Sequence, residues 1–178
     1  MYYDSFYGTI WEQPDFDANQ TAESLKEAMH GVFSCDKQKV LDDIVRINNA
    51  QRQMVAEQYV TLYGEELPHK LKKELHGDLE DLITALMETP TMFDVTQLHK
   101  AMHGLGTKDK VLIEIICSRT NDEIWAIRSL YEERYGKTLV DAVQGDTSGD
   151  FERLLVSLLQ GNRDDQSYYV DDSKAREV

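Results

Sequence analysis

Residues 25–86 of this chain return as residues 98–158, and that internal repeat constrains the fold more than any other feature. Leu25, Ala28, Met29, His30 and Gly31 recur 73 positions later as Leu98, Ala101, Met102, His103 and Gly104. Beyond them the spacing is 72. Asn49, Tyr59, Tyr63, Gly64, Leu67, Gly77, Asp78, Glu80, Leu82 and Leu86 return as Asn121, Tyr131, Tyr135, Gly136, Leu139, Gly149, Asp150, Glu152, Leu154 and Leu158. One extra residue therefore stands in the first copy between Gly31 and Asn49. Such tandem copies mark a fold built by repeating one supersecondary unit. The 178 residues are enough to bury a real core.

The unit is helical. In the second copy the pattern predicts helices over 94–103, 108–119, 122–135, 137–143 and 149–160, five per copy. The last is the clearest: Leu79, Leu82, Ile83, Leu86 and Met87, then Phe151, Leu154, Leu155, Leu158 and Leu159, follow i, i+3, i+4, i+7, i+8 and read as core. Gly64 and Gly136 stand where a left-handed residue ends a helix. Pro90 is expected to stop the first copy's last helix and supply the linker. The expected organisation is an all-α chain: a tail over 1–20, repeats over 21–90 and 91–163, and a C-terminal tail over 164–178.

Between the first two helices of the second copy lies Met102-His103-Gly104-Leu105-Gly106-Thr107. Two glycines one residue apart allow positive φ and let carbonyl oxygens be aimed outward, which suits a hard cation. Thr107 stands where a helix N-cap belongs. The loop lacks a charged ligand. Forty residues beyond Gly106, Asp146 sits in Gly145-Asp146-Thr147-Ser148-Gly149, a second turn-rich stretch. The expectation is that the two loops meet and share one calcium ion. The competing reading makes Asp146 only a charge that favours the start of the next helix.

Net charge is −14. Nucleic acid is excluded as a default partner, since phosphate binding needs a basic surface. Unaided attraction to an anionic membrane is excluded on the same ground. No apolar run nears the roughly 18 residues of a membrane span, and Met1-Tyr2-Tyr3-Asp4 has no leader character. A cytosolic protein is expected. Cys35 in a loop and Cys117 in an apolar helix make no disulfide framework.

Three stretches of the second copy carry a family likeness: Met102-His103-Gly104-Leu105-Gly106-Thr107, Ser118-Arg119-Thr120-Asn121 and Gly145-Asp146-Thr147-Ser148-Gly149. Together they resemble an annexin repeat. In the first copy, Asn49-Ala50-Gln51-Arg52-Gln53 looks like the matching stretch of a first annexin repeat. The likeness covers about residues 20–163 and two repeats where annexins have four. It implies an all-helical fold and calcium-dependent binding to anionic phospholipid. It implies as calcium ligands the carbonyls of Met102, Gly104 and Gly106 and the carboxylate of Asp146. The first copy departs from the pattern. Its loop has one glycine, Gly31, and one residue more, with Glu74 in the acidic position; a silent loop is expected there.

Other constellations carry less. His99 and His103 at i, i+4 lack a third ligand for zinc. Asp94, Glu114 and Arg119 resemble a buried polar cluster of the family and read as a charge-paired structural network. Nothing reads as catalytic. The rival function is a calcium-independent scaffold acting through the aromatic tail (Tyr2, Tyr3, Phe6, Tyr7, Trp11) and the acidic surface. Two repeats of this kind would also expose apolar faces, so a homo-oligomer is expected.

Overall fold

Each copy of the repeat builds its own five-helix unit, because local signals start and stop the helices at matching places. The computed structural model describes residues 10–30, 35–104 and 106–164, which form ten α-helices and no strand. The chain divides between Thr89 and Pro90 into two compact units. The first holds α1 (Ala18–Met29), α2 (Lys37–Val45), α3 (Asn49–Tyr63), α4 (Leu67–Glu74) and α5 (Asp78–Met87). The second holds α6 (Pro90–Met102), α7 (Asp109–Ser118), α8 (Asn121–Tyr135), α9 (Leu139–Asp146) and α10 (Gly149–Leu158).

The long middle helix of each unit opens with a capping box. The Asn48 side chain accepts the Gln51 N–H at 2.9 Å, and Gln51 Oε1 accepts the Asn48 N–H at 3.2 Å. Thr120 and Glu123, 72 residues on, exchange the same two bonds at 3.4 and 2.8 Å. Two otherwise unpaired helix donors are thereby satisfied. Both helices stop at a left-handed glycine, Gly64 at φ 66° and Gly136 at φ 65°. Around them the cores repeat in register: Leu25, Ile44, Val55, Tyr59, Leu71 and Ile83 in one, Leu98, Ile116, Ile127, Tyr131, Val143 and Leu155 in the other.

A helix also leaves its last carbonyls unpaired, and the middle helix reaches across to satisfy them. Asn49 donates to the Glu88 carbonyl at 2.8 Å, Arg52 Nη1 to Leu86 at 3.1 Å and Gln53 Nε2 to Met87 at 2.9 Å. In the second unit Trp125 Nε1 donates to Gln160 at 3.3 Å and Arg128 Nη1 to Leu159 at 3.0 Å. Gln53 and Trp125 occupy the same place in the repeat. The donor is kept while its chemistry changes.

Several expectations need correction. Pro90 does not form the linker; it opens α6, four residues before the expected start. A proline fits a first helical turn, where its missing N–H would be unpaired anyway. The helix α1 likewise begins at Ala18, because the Asp17 carboxylate accepts the Gln20 N–H at 3.0 Å and caps it. Leu82 and Leu154 were expected in the core, yet they are 49% and 55% exposed. The apolar stripe of the last helix is wider than the face its own unit buries. Cys117 is exposed on α7 rather than in the core. Residues 1–9 of the expected irregular arm lie outside the described set. Of its remainder, Gln13 is pinned to α3 by a reciprocal pair of bonds with the Gln51 amide at 3.1 and 3.0 Å.

Adjacent leucines on α10 thus provide a direct contrast. Leu155→Ala is expected to cost about 2–5 kcal/mol, as for a buried large-to-small change. Leu154→Ala is expected to stay within about 0.5 kcal/mol, as for a surface position. Urea denaturation of dilute protein measures both.

Candidate calcium site

Met102 is the last residue of α6 and Asp146 the last of α9, and these two helices pack on one another. The C-terminal end of a helix carries partial negative charge from its unpaired carbonyls. Two such ends therefore stand in one place, one of them carrying a carboxylate as well. Asp146 is not in the loop that opens α10, as expected from the sequence. It closes α9, where a negative side chain opposes the helix dipole. The N-cap of α10 is Ser148, two residues beyond Asp146.

Thr107 brings the two segments together. Its hydroxyl donates to the Asp146 main-chain carbonyl at 2.8 Å and lies 3.3 Å from the carboxylate Oδ2. This replaces the expected N-cap role, since α7 starts at Asp109 and its N-cap is Lys108, with no side-chain cap bond. The loop is closed by the Lys108 N–H donating to the Ala101 carbonyl at 2.9 Å. Within it Gly104 has φ 132° and Gly106 φ 82°, in the region closed to most side chains, and a Cβ at either would meet nothing within 4 Å. The glycines are needed for their backbone angles and not to relieve crowding. Both are exposed, as is Asp146, and no basic side chain of the described residues forms an ion pair with that carboxylate.

The main-chain carbonyls of the loop and the Asp146 carboxylate are oxygen donors, and of these only the carboxylate carries formal charge. That donor set fits calcium, which takes carbonyl, carboxylate and water oxygens in flexible numbers. It does not fit zinc, which prefers nitrogen and sulfur.

Beneath the site, Tyr131 is buried. Burial first, then Tyr135 and the Asp146 charge, push its phenol up to about 12. It stays protonated and lies 3.3 Å from His99 Nδ1. The His99 ring stacks on Tyr135 at 3.7 Å and on His103 at 4.2 Å. No group of three or more His, Cys, Asp or Glu among the described residues stands close enough to hold a metal. The two histidines belong to an aromatic stack. Asp94, only 3% exposed, takes a two-point bond from Arg119, Nε to Oδ2 at 2.6 Å and Nη2 to Oδ1 at 2.9 Å. Glu114 is exposed and acts on Arg119 through its charge, the smallest of the effects that raise the guanidinium. Arg163, which the sequence reading passed over, donates to the Cys117 carbonyl at 2.8 Å and to Arg119, so it caps the end of α7.

In the first unit the equivalent loop residues 31–34 lie outside the described set. Glu74 ends α4, and its carboxylate is bonded to Lys70 Nζ at 2.6 Å.

A tandem of five-helix units with a glycine loop facing a helix-end carboxylate defines a class, and comparison with known proteins identifies it. The family description Annexin matches residues 20–86 and 93–158. Annexin A7 from Homo sapiens is 48% identical over 158 residues, 89% of this chain and 32% of the relative. Annexin A5 from Mus musculus is 45% identical over 167 residues, 94% and 52%. The solved structure of annexin III superposes with a TM-score of 0.90 at 38% identity, covering 96% of this chain and 52% of that one. Calcium-bound annexin (Sm)1 superposes at 0.80 with 32% identity, covering 89% and 48%. The chain belongs to the annexin family. It spans about half the length, or less, of these relatives.

Burial first, then His103 and Arg134, push the His99 imidazole below its ordinary value, about 6.5. Folding thus favours neutral His99, and its stabilising contribution, present above the unfolded pKa, is lost as pH falls. The expected outcome is a steeper fall in the urea midpoint between pH 7.5 and 5 for the native chain than for His99→Gln.

Proposed function

We propose that this chain binds anionic phospholipid in the presence of calcium, through one ion held in the second unit by the carbonyls of Met102, Gly104 and Gly106 and the carboxylate of Asp146. The observation that carries this reading is the Thr107–Asp146 contact, which draws a carboxylate that forms no ion pair among the described residues to a glycine loop. Annexins as a family bind phospholipid in a calcium-dependent way, and a related structure is of a calcium-bound annexin.

The chemistry explains why calcium would be needed. An acidic chain and an acidic bilayer repel, and a divalent ion between them reverses the sign. One carboxylate and three neutral oxygens leave coordination positions open among the roughly 6–8 that calcium uses. Lipid phosphate oxygens complete the shell. With so few charges, affinity in bulk water is weak, on the order of 10⁻⁴ to 10⁻³ M, and the membrane raises it by supplying ligands. Attachment is peripheral, as no described helix is long and apolar enough to cross a bilayer.

Co-sedimentation with phosphatidylserine vesicles tests this. Binding is expected with calcium, absent with chelator, and shifted in Asp146→Asn to at least about tenfold more calcium, or about 1.4 kcal/mol. Equal binding with calcium and with chelator would sink the reading.

A second observation supports self-association. On α7 and α10, which pack together, Ile113 is 47% exposed and Leu154 55%. A two-fold partner would set like against like and cover both. Light scattering at micromolar concentration is expected to show a dimer that Leu154→Glu converts to monomer; a monomeric native chain would end this reading.

A further inference from the structure

The bond that ties the middle helix to the end of the last one does not need an indole. In the first unit a glutamine amide makes it, Gln53 Nε2 donating to the Met87 carbonyl at 2.9 Å. In the second, Trp125 takes that place and donates to the Gln160 carbonyl at 3.3 Å, while 50% of its surface stays exposed. Capping therefore accounts for the indole nitrogen and leaves the ring unexplained.

The exposed ring lines a hollow of about 290 Å³ between α8 and the start of α9. Arg128, Ser129 and Glu132 line it too, three, four and seven residues after Trp125, so all four share one face of α8. Thr138 and Leu139 complete the lining, and the Thr138 hydroxyl is taken up at the start of α9, donating to Asp141 at 2.6 Å. The other polar groups keep bonding capacity. Arg128 and Glu132 have the four-residue spacing of a helical ion pair, yet they form none, and Arg128 Nη1 goes instead to the Leu159 carbonyl at 3.0 Å. The Ser129 hydroxyl and the Glu132 carboxylate make no hydrogen bond among the described residues.

We propose that this hollow binds a sugar, one neutral pyranose ring laid with its C–H face on the Trp125 indole and its hydroxyls bonded to Arg128, Ser129 and Glu132. The lining selects that class by charge and by hydrogen-bonding capacity. One cation and one anion cancel, so a ligand with net charge of either sign gains nothing from the pair as a whole. A guanidinium only donates, an ionised carboxylate only accepts, and a hydroxyl does both. A ligand that answers all three must itself donate and accept at adjacent positions, as a ring of hydroxyls does. The indole adds a different demand, a flat apolar face. A pyranose carries both on one small ring. The volume stands at the lower end of the range for ligand pockets, about 300–1,000 Å³, which suits a single ring better than a longer ligand.

The first copy lacks this chemistry: Gln53, Ala56 and Val60 stand where the second has Trp125, Arg128 and Glu132. The hollow is also separate from the proposed ion site. Thr138 is the N-cap of α9 and Asp146 its last residue, about 12 Å apart along the helix axis. Sugar and calcium are therefore expected to bind independently.

The test is saturation-transfer NMR on the full chain with free glucose, galactose, mannose and N-acetylglucosamine, each with calcium and with chelator. At least one sugar is expected to bind under both conditions, with a dissociation constant on the order of 1 mM, since an open hollow covers only part of a small ligand. Trp125→Gln, which brings in the first copy's residue and keeps a donor for the helix end, should weaken binding by at least about tenfold, or about 1.4 kcal/mol. Glu132→Ala, at an exposed position, should also weaken it and carries the test should Trp125→Gln fold poorly. Trp11→Phe should leave binding unchanged. Failure of all four sugars to bind, or binding that both hollow variants leave intact, would overturn the proposal. Binding lost with chelator would overturn it as well, by assigning the sugar to the ion. Tetramethylammonium binding without sugar binding would make the indole a cation site and overturn it equally.

Discussion

A carboxylate at the C-terminal end of a helix stands against the dipole, and both units of this protein place one there. Asp146 and Glu74 are the last residues of α9 and α4. Left alone, each would repel the unpaired carbonyls beside it, an effect of about 0.3–1 kcal/mol at an exposed helix end. In the first unit the compensation is internal, through Lys70. In the second it is only partial: a threonine hydroxyl donates to the helix-end carbonyl and lies beside the carboxylate, which forms no ion pair among the described residues. The convergence of α6 on the same point adds a second set of helix-end carbonyls. Helix-end carbonyls and a carboxylate brought together in this way would favour a cation over an anion.

That packing depends in turn on a scaffold conserved between the copies more strictly than the site is. The capping boxes of α3 and α8 use different residues, Asn48 with Gln51 and Thr120 with Glu123, for the same pair of bonds. The donors to the ends of α5 and α10 change from an amide to an indole without moving. Lys26 and His99 hold one place in the repeat and face the same pair of tyrosines. The lysine sits over the Tyr59 and Tyr63 rings, while the histidine stacks on Tyr135 and meets the Tyr131 hydroxyl. Helix ends and buried faces impose demands that several side chains can meet. A calcium loop of the kind proposed would impose narrower ones, positive φ at two positions and a carboxylate free to take a cation.

Where the sequence was read well, the signal was local or periodic. The repeat, the ten helices and the left-handed glycines after Tyr63 and Tyr135 all follow from spacing and backbone preference. The misreadings at Pro90, Thr107 and Asp146 share a cause, which is that one residue type serves two ends of a helix. Pro90 breaks a helix from within yet suits a first turn, and only the preceding chain geometry decides between them. Thr107 and Asp146 are both residues of helix starts by preference. Each was drawn elsewhere by a tertiary partner 39 residues away, which no local window contains. Leu154 satisfied the helical period, but period cannot say how wide a stripe one small unit covers. Asp94, Glu114 and Arg119 were grouped by likeness, and the guanidinium binds the buried Asp94 carboxylate at two points while Glu114 acts on it only through its charge.

The weakness of the proposed ion site is then a consequence of its construction. A site with three or four carboxylates would hold calcium in bulk water and stay filled whether or not a membrane were near. A site with one carboxylate gains most of its remaining ligands from outside the protein. Its occupancy therefore depends on calcium and phosphate together, and neither alone suffices at low concentration. On a chain of net charge −14, that coupling would also remove binding without the ion, because an acidic surface and an acidic bilayer repel whenever no bridge is present. The sparse charge at Gly104, Gly106 and Asp146 would make the response conditional; adding acidic ligands would strengthen the site and lose that condition.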